Sequence, residues 1–182
     1  MKIDYNLAYD CCAHVIEKNK LSYPLDVFSL IHDYEIKTIT YTDLSCNYDI
    51  SVQEIIDGCS EFGFLERDIK SNRAIIYYND MQSDGIINFA LLHELGHYLM
   101  NHTEESKENE NLANCFARNL IAPANMCLQL NFDNPYTIQK YFNISFSCAK
   151  TRLDFLYGDL VHINKLGKHP KFCYRPITTI LV

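Results

Sequence analysis

The chain has 182 residues, 48% of them hydrophobic and 21% charged, which suits one domain with a real core and excludes wholesale disorder. No window long enough to span a bilayer is free of charged or strongly polar side chains, which excludes a membrane span. The formal net charge of −7 argues against a partner held by bulk phosphate attraction, so nucleic acid is not expected.

The opening segment is acidic and lacks a long apolar run, so no signal peptide is expected and the expected location is cytoplasmic. No Asp or Glu follows Asp159, whereas Lys165, Lys168, Lys171 and Arg175 do. That basic tail reads as solvated surface, with contact to an acidic partner as the alternative. Eight cysteines occur without a CxxC pair, and most read as small buried apolar residues of a reduced protein rather than as a disulfide set.

Helical spacing predicts an opening helix over 4–19, with Leu7, Cys11 and Val15 on one face and Ala8, Cys12 and Ile16 on the next. A second helix follows Ser22, with Pro24 near its first position and Val27, Leu30, Ile31 and Tyr34 at helical spacing. Ile36–Tyr41 alternates as a strand. Ser51 with Glu54 is a capping-box pair opening a helix that runs to about Phe62. A hairpin follows: a strand at Phe64–Asp68, a turn at Lys70–Asn72 and a strand at Ala74–Tyr78. Beyond it, helices are expected over 85–101 and 107–121, the latter stopped by Pro123. Two shorter ones follow Pro135 and Ser145, the second closed by Gly158, and the final PITTILV reads as an edge strand. The predicted class is α+β: a small antiparallel sheet in the N-terminal half, packed on a mostly helical core. One domain over 1–182 is expected, with a metal core at about 64–123 and a helical part at about 124–182.

His93-Glu-Leu-Gly-His97 is the informative stretch. Two histidines at i and i+4 project from one helical face, about 5–6 Å apart at Cβ, close enough to bind one Zn²⁺. Glu94 stands beside the first, placed to act as base on a water that zinc acidifies. The flanks Ile86–Leu92 and Tyr98–Met100 are core-like, so solvated surface histidines explain the pattern poorly. Gly96 costs about 1 kcal/mol of helix propensity and implies that something passes close, a ligand or another backbone.

A third ligand is needed. The extended metzincin pattern would place a histidine at 103, which is Thr103. His102, five residues beyond His97 on the same predicted helix, should point away. Glu110 is the leading candidate, with Asn114 one turn further able to orient a ligand histidine. Glu104, Glu105, Glu108 and the Cys115 thiolate are the alternatives.

These segments resemble a known family, the ImmA/IrrE metallopeptidases, a small gluzincin group. The resemblance rests on HELGHYL at 93–99 and on Glu110–Ala117 followed by Asn119–Pro123. Weaker matches at Tyr23–Val27, Ala74–Asn79, Tyr141–Ser145 and Arg152-Leu153 extend it over about 20–158. One departure is Leu112, where the family often carries a second glutamate. The resemblance implies a zincin-like fold, zinc held by His93, His97 and Glu110, and Glu94 as the catalytic base. It also implies a cytoplasmic endopeptidase acting on a protein substrate, often a helix-turn-helix repressor of a phage or mobile element, and so a part in transcription regulation.

Two other functions remain open. One is a zinc-containing regulatory module that binds protein with little or no proteolysis. The other is DNA binding through a helix-turn-helix at Pro135–Phe142 and Phe146–Tyr157, for which Lys150 and Arg152 are the cations and which Asp154 and several apolar positions disfavour. For the oxyanion donor the thirteen tyrosines and the remaining histidines, His162 among them, give no single candidate. The strand Ala74–Tyr78 directly precedes the metal helix, so a substrate is expected to add to its outer edge; an interior strand with both edges paired is the alternative.

Overall fold

The computed structural model describes residues 3–68, 73–167, 170 and 173–174. The expected turn at Lys70–Asn72 and the expected edge strand at Pro176–Val182 lie outside the described residues.

The chain opens with α1 (Asn6–Asn19), β1 (Ser22–Tyr23), α2 (Val27–Asp33), β2 (Lys37–Thr40), α3 (Tyr41–Tyr48) and α4 (Val52–Gly58). Then come β3 (Gly63–Asp68), β4 (Arg73–Tyr78), α5 (Asp84–Leu99) and α6 (Lys107–Ile121). It continues through α7 (Ala124–Gln129), α8 (Pro135–Phe142), α9 (Phe146–Leu166) and β5 (Cys173–Tyr174), the last paired with β1. This is an α+β architecture, as the hydrophobic pattern predicts.

The sheet differs from the expected antiparallel one. Its strand order is β2-β4-β3, with β4 antiparallel to β3 but parallel to β2. The parallel pair arises because α3 and α4 carry the chain back across the sheet before β3 begins. Helix α3 is unforeseen in the sequence, where Tyr41 reads as the end of a strand. Instead Thr40 caps the helix, its Oγ1 accepting from the Asp43 N–H at 2.9 Å, and Tyr41 is fully buried beneath it. The capping box at Ser51 and Glu54 forms as expected, but its helix stops at Gly58 rather than Phe62.

The central position of β4 overturns Ala74–Tyr78 as a docking edge. Both sides of that strand are already hydrogen-bonded, and β3, paired among the described residues with β4 alone, supplies an outer edge instead.

One large apolar cluster runs from α1 through α5 and α6 to α9, and a smaller one of Tyr41, Ile55 and Tyr77 lies on the other face of the sheet. In α1 the buried stripe is Ala8, Cys12, Val15 and Ile16, while Leu7 stays exposed. Of the seven cysteines whose side chains are described, all unpaired, Cys12, Cys115 and Cys127 are buried and Cys46 and Cys59 are exposed. Helix α9 passes Gly158 without breaking and ends at Leu166, where Gly167 takes a left-handed conformation (φ 64°). The two helices of the suspected helix-turn-helix exist, but Arg152 is fully buried, which removes one of its two cations from any DNA-facing surface.

What draws Arg152 inward is a buried charge cluster joining three helices. Asp159 of α9 accepts from Arg118 Nε and Nη2 of α6 at 3.0 and 3.1 Å, from Asn119 Nδ2 at 3.1 Å and from the Tyr9 hydroxyl of α1 at 2.6 Å. It also pairs with Arg152, whose Nη1 donates to Asn119 Oδ1 at 3.1 Å. Burial alone would raise the Asp159 pKa, but the two guanidinium groups and the tyrosine outweigh it and hold the carboxyl below its usual range. Its folded pKa is thus below its unfolded one, so the stabilisation is complete above about pH 4 and is lost as pH falls through the folded value. Asp159→Asn should therefore lower unfolding free energy at pH 7 by about 3–5 kcal/mol, because it strands two buried cations. Urea titrations at pH 7 and below pH 4 check both points: the gap between variant and wild type should narrow on acidification.

Candidate metal centre

Helix α5 carries the HELGH stretch, and Leu91, Leu92 and Leu95, all fully buried, fix which way it faces. With those three turned into the core, His93, Glu94 and His97 fall on the opposite flank, half-buried along a groove. Helix α6 packs beside it, and Gly96 is where they meet. A Cβ at that position would lie 2.9 Å from Phe116 Cδ1 and 3.4 Å from Ala113 Cα, so the glycine admits another helix rather than a ligand. Phe116 and Ala113 are themselves fully buried, so neither side chain has room to give.

That approach sets Glu110, in the first turn of α6, opposite the two histidines. Glu110 Oε2 lies 3.2 Å from His93 Nε2, its Oε1 lies 3.2 Å from His97 Nε2, and the two Nε2 atoms are 3.0 Å apart. Among the described residues this is a grouping of the kind that can hold a metal ion. Cys115 is buried on the other side of α6, where Asn119 Nδ2 sits 3.6 Å from its sulfur, and burial pushes its thiol up to about 11. Glu104, Glu105 and Glu108 stand outside the cluster.

The donor set fits a cation. Asn114 Oδ1 is 3.1 Å from His93 Nδ1, which places the ring proton on Nδ1 and leaves Nε2 a bare acceptor. Two imidazole nitrogens and a carboxylate, the residue types that bind a divalent ion, then converge on one point. Their separations suit a tetrahedral ion with bonds of about 2.0–2.1 Å, whose ligand atoms sit roughly 3.3 Å apart.

Without an ion, these groups compete for protons. His93 shows the competition: burial lowers its pKa, but Glu110, with Glu94 and Asn114, outweighs that and leaves it raised. His97 goes the other way, to about 4, through burial and the charge of His93. Glu110 is held low, first by its hydrogen bond to His93. Glu94 is pushed up to about 7, chiefly by burial, against the pull of His93.

The expectation that His102 points away is wrong, and the reason is local. The helix ends at Leu99, and Asn101 adopts a left-handed conformation (φ 54°). The His102 N–H then closes back on the His97 carbonyl at 3.0 Å, a Schellman-type cap that folds the side chain under the ligand face. There His102 Nδ1 sits 3.0 Å from His97 Nδ1. If His97 offers Nε2 to a metal, its Nδ1 must carry the proton, so His102 Nδ1 accepts it and the His102 proton moves to Nε2. An asparagine after the last helical turn was the available sequence signal.

Residues 60–154, just over half of the chain, match the Peptidase_M78 family, described as the IrrE N-terminal-like domain. The chain belongs to this family of metal-dependent peptidases, in agreement with the resemblance seen in the sequence. No curated protein and no solved structure matches it. Among the described residues, no helix is long and apolar enough to cross a membrane.

The His102 geometry has a measurable consequence. If His93, His97 and Glu110 hold a divalent ion, His102→Leu should weaken its binding by about 10–100-fold in a chelator competition, whereas His102→Asn, whose Oδ1 takes the place of Nδ1, should stay within a few-fold of wild type. Equal affinities for the leucine variant and wild type would show that His102 does not support His97.

Proposed function

We propose that the chain is a zinc-dependent endopeptidase in which His93, His97 and Glu110 hold the metal, Asn114 orients His93, and Glu94 is the general base. The observation that carries this reading is the convergence of His93, His97 and Glu110, whose possible ligand atoms all lie within 4.8 Å of one another in a groove bordered by α5, α6 and β3. Zinc bound there would supply an acidified water and polarise the scissile carbonyl.

The chain's own residues account for the rest. Glu94, half-buried beside His93 in the groove, is placed to take a proton and return it. Strand β3 borders the same groove through Gly63, Phe64 and Leu65, so an extended substrate segment can pair with its outer edge and pass the histidines. Strand pairing requires a locally unfolded segment, which favours flexible linkers over packed helices. A cytoplasmic location and a repressor of a phage or mobile element as the substrate rest on the family resemblance alone.

Metal analysis with denatured casein as the cleavage probe tests the assignment. Wild type and Glu94→Gln should each carry one zinc, Glu110→Ala should lose it on dialysis, and Glu94→Gln should lose about 10²–10⁴ of turnover. A Glu94→Gln protein that cleaves at the wild-type rate would remove Glu94 from the chemistry. Zinc-loaded wild type that cleaves nothing while keeping its biological effect would favour the regulatory binding module instead.

A further inference from the structure

The groove is far larger than the metal centre. It encloses about 1370 Å³ and continues past Asn114 to Arg118, Thr151, Phe155, Asp159 and His162, a stretch with no part in hydrolysis itself. Its floor is α6. Glu110, Asn114 and Arg118 follow one another at four-residue steps, each about 6 Å further along the helix. Arg118 thus lies roughly 12 Å from Glu110, the length of three or four extended residues.

Two features make this far end an unfinished electrostatic site. First, Arg118 and Arg152 share a single carboxylate, Asp159, whose oxygens are already occupied by Tyr9 and Asn119 as well. Among the described residues the cluster therefore keeps one positive charge in excess, which is costly to bury unless a partner arrives. Second, Arg118 is only 8% exposed and spends Nε and Nη2 on Asp159, while Nη1 makes no hydrogen bond among the described residues. The guanidinium is held 4.3 Å from the ring centroid of Phe155, itself 51% exposed, so its face is covered and its remaining edge is left for the groove. On the other side of the metal centre the lining is mixed in charge, with Glu104, Glu105 and Lys107.

We infer that Arg118, framed by Phe155, is a specificity subsite for a substrate carboxylate three or four residues from the scissile bond. A planar guanidinium with a free N–H edge suits a carboxylate better than any neutral group. Either an Asp or Glu side chain or a chain-terminal carboxylate supplies that chemistry. The inference rests on the peptidase reading above.

The test is cleavage-site profiling with zinc-loaded protein on two random synthetic peptide libraries, one with free C-termini and one amidated. Wild type should enrich Asp and Glu about tenfold at one fixed position three or four residues from the cut, in both libraries. If enrichment is instead for cuts at that distance from a free C-terminus and vanishes on amidation, the carboxylate is the chain end. Arg118→Met should abolish either preference while leaving zinc content unchanged, and Arg118→Lys should keep part of it. Should Arg118→Met not fold, Phe155→Ala, which alters an exposed ring, should cut the preference several-fold. Wild-type cleavage with no carboxylate preference, or a preference untouched in folded Arg118→Met, overturns the subsite and leaves the peptidase standing. Wild type that is zinc-loaded and cleaves neither library overturns the peptidase reading and this inference with it.

Discussion

The close approach of α5 and α6 at Gly96 is the constraint on which the rest of the structure depends. Two histidines one turn apart define only two corners of a metal site, and the third must come from an element that packs within side-chain reach. A Cβ at position 96 would collide with Phe116 and press on Ala113, forcing the helices apart by the fraction of an ångström that separates ligand contact from its loss. The glycine thus weakens the helix it sits in and permits the helix pair. Phe116, fully buried at the crossing, fixes the depth of the approach.

A second lock lies further along α6. Asp159 ties α9 to α6 and α1 through groups that are all buried, so α9 is held as one wall of the groove. Replacing such a cluster with hydrocarbon can leave stability unchanged, but removing one member leaves the others unpaired, which makes it a strong positional constraint. The same arrangement explains why Arg152, which reads from sequence as a surface cation, is among the most buried side chains of the chain.

How much of this could be read from sequence follows from the range of each interaction. The placement of His93, Glu94 and His97 on one face of a helix was legible because i, i+4 spacing and apolar periodicity are local. Glu110 was legible as the leading candidate because a turn and the start of an antiparallel helix need about the observed chain length. His102 was misjudged because one left-handed residue, Asn101, reverses the chain, and helical periodicity has no term for that. The sheet was misjudged for the opposite reason: strand order depends on where α3 and α4 return the chain, and the alternation within β2 and β4 is the same for either neighbour. Nothing local marks Asp159 or Arg118, whose partners are 41 residues apart in the chain.

The metal centre and the core are also coupled through the proton. In the metal-free chain burial opposes a proton on His93 while Glu110 favours it, and burial and the charge of His93 together disfavour a proton on His97. A bound divalent ion displaces any proton held there, so its affinity must weaken as pH falls. Because Glu110 belongs to the first turn of α6 and the histidines to α5, an ion held by all three would bridge the two helices whose packing Gly96 allows. Binding free energy is then partly packing free energy, and loss of the metal should loosen the α5–α6 seam before it reaches the Asp159 cluster at the far end of the helix.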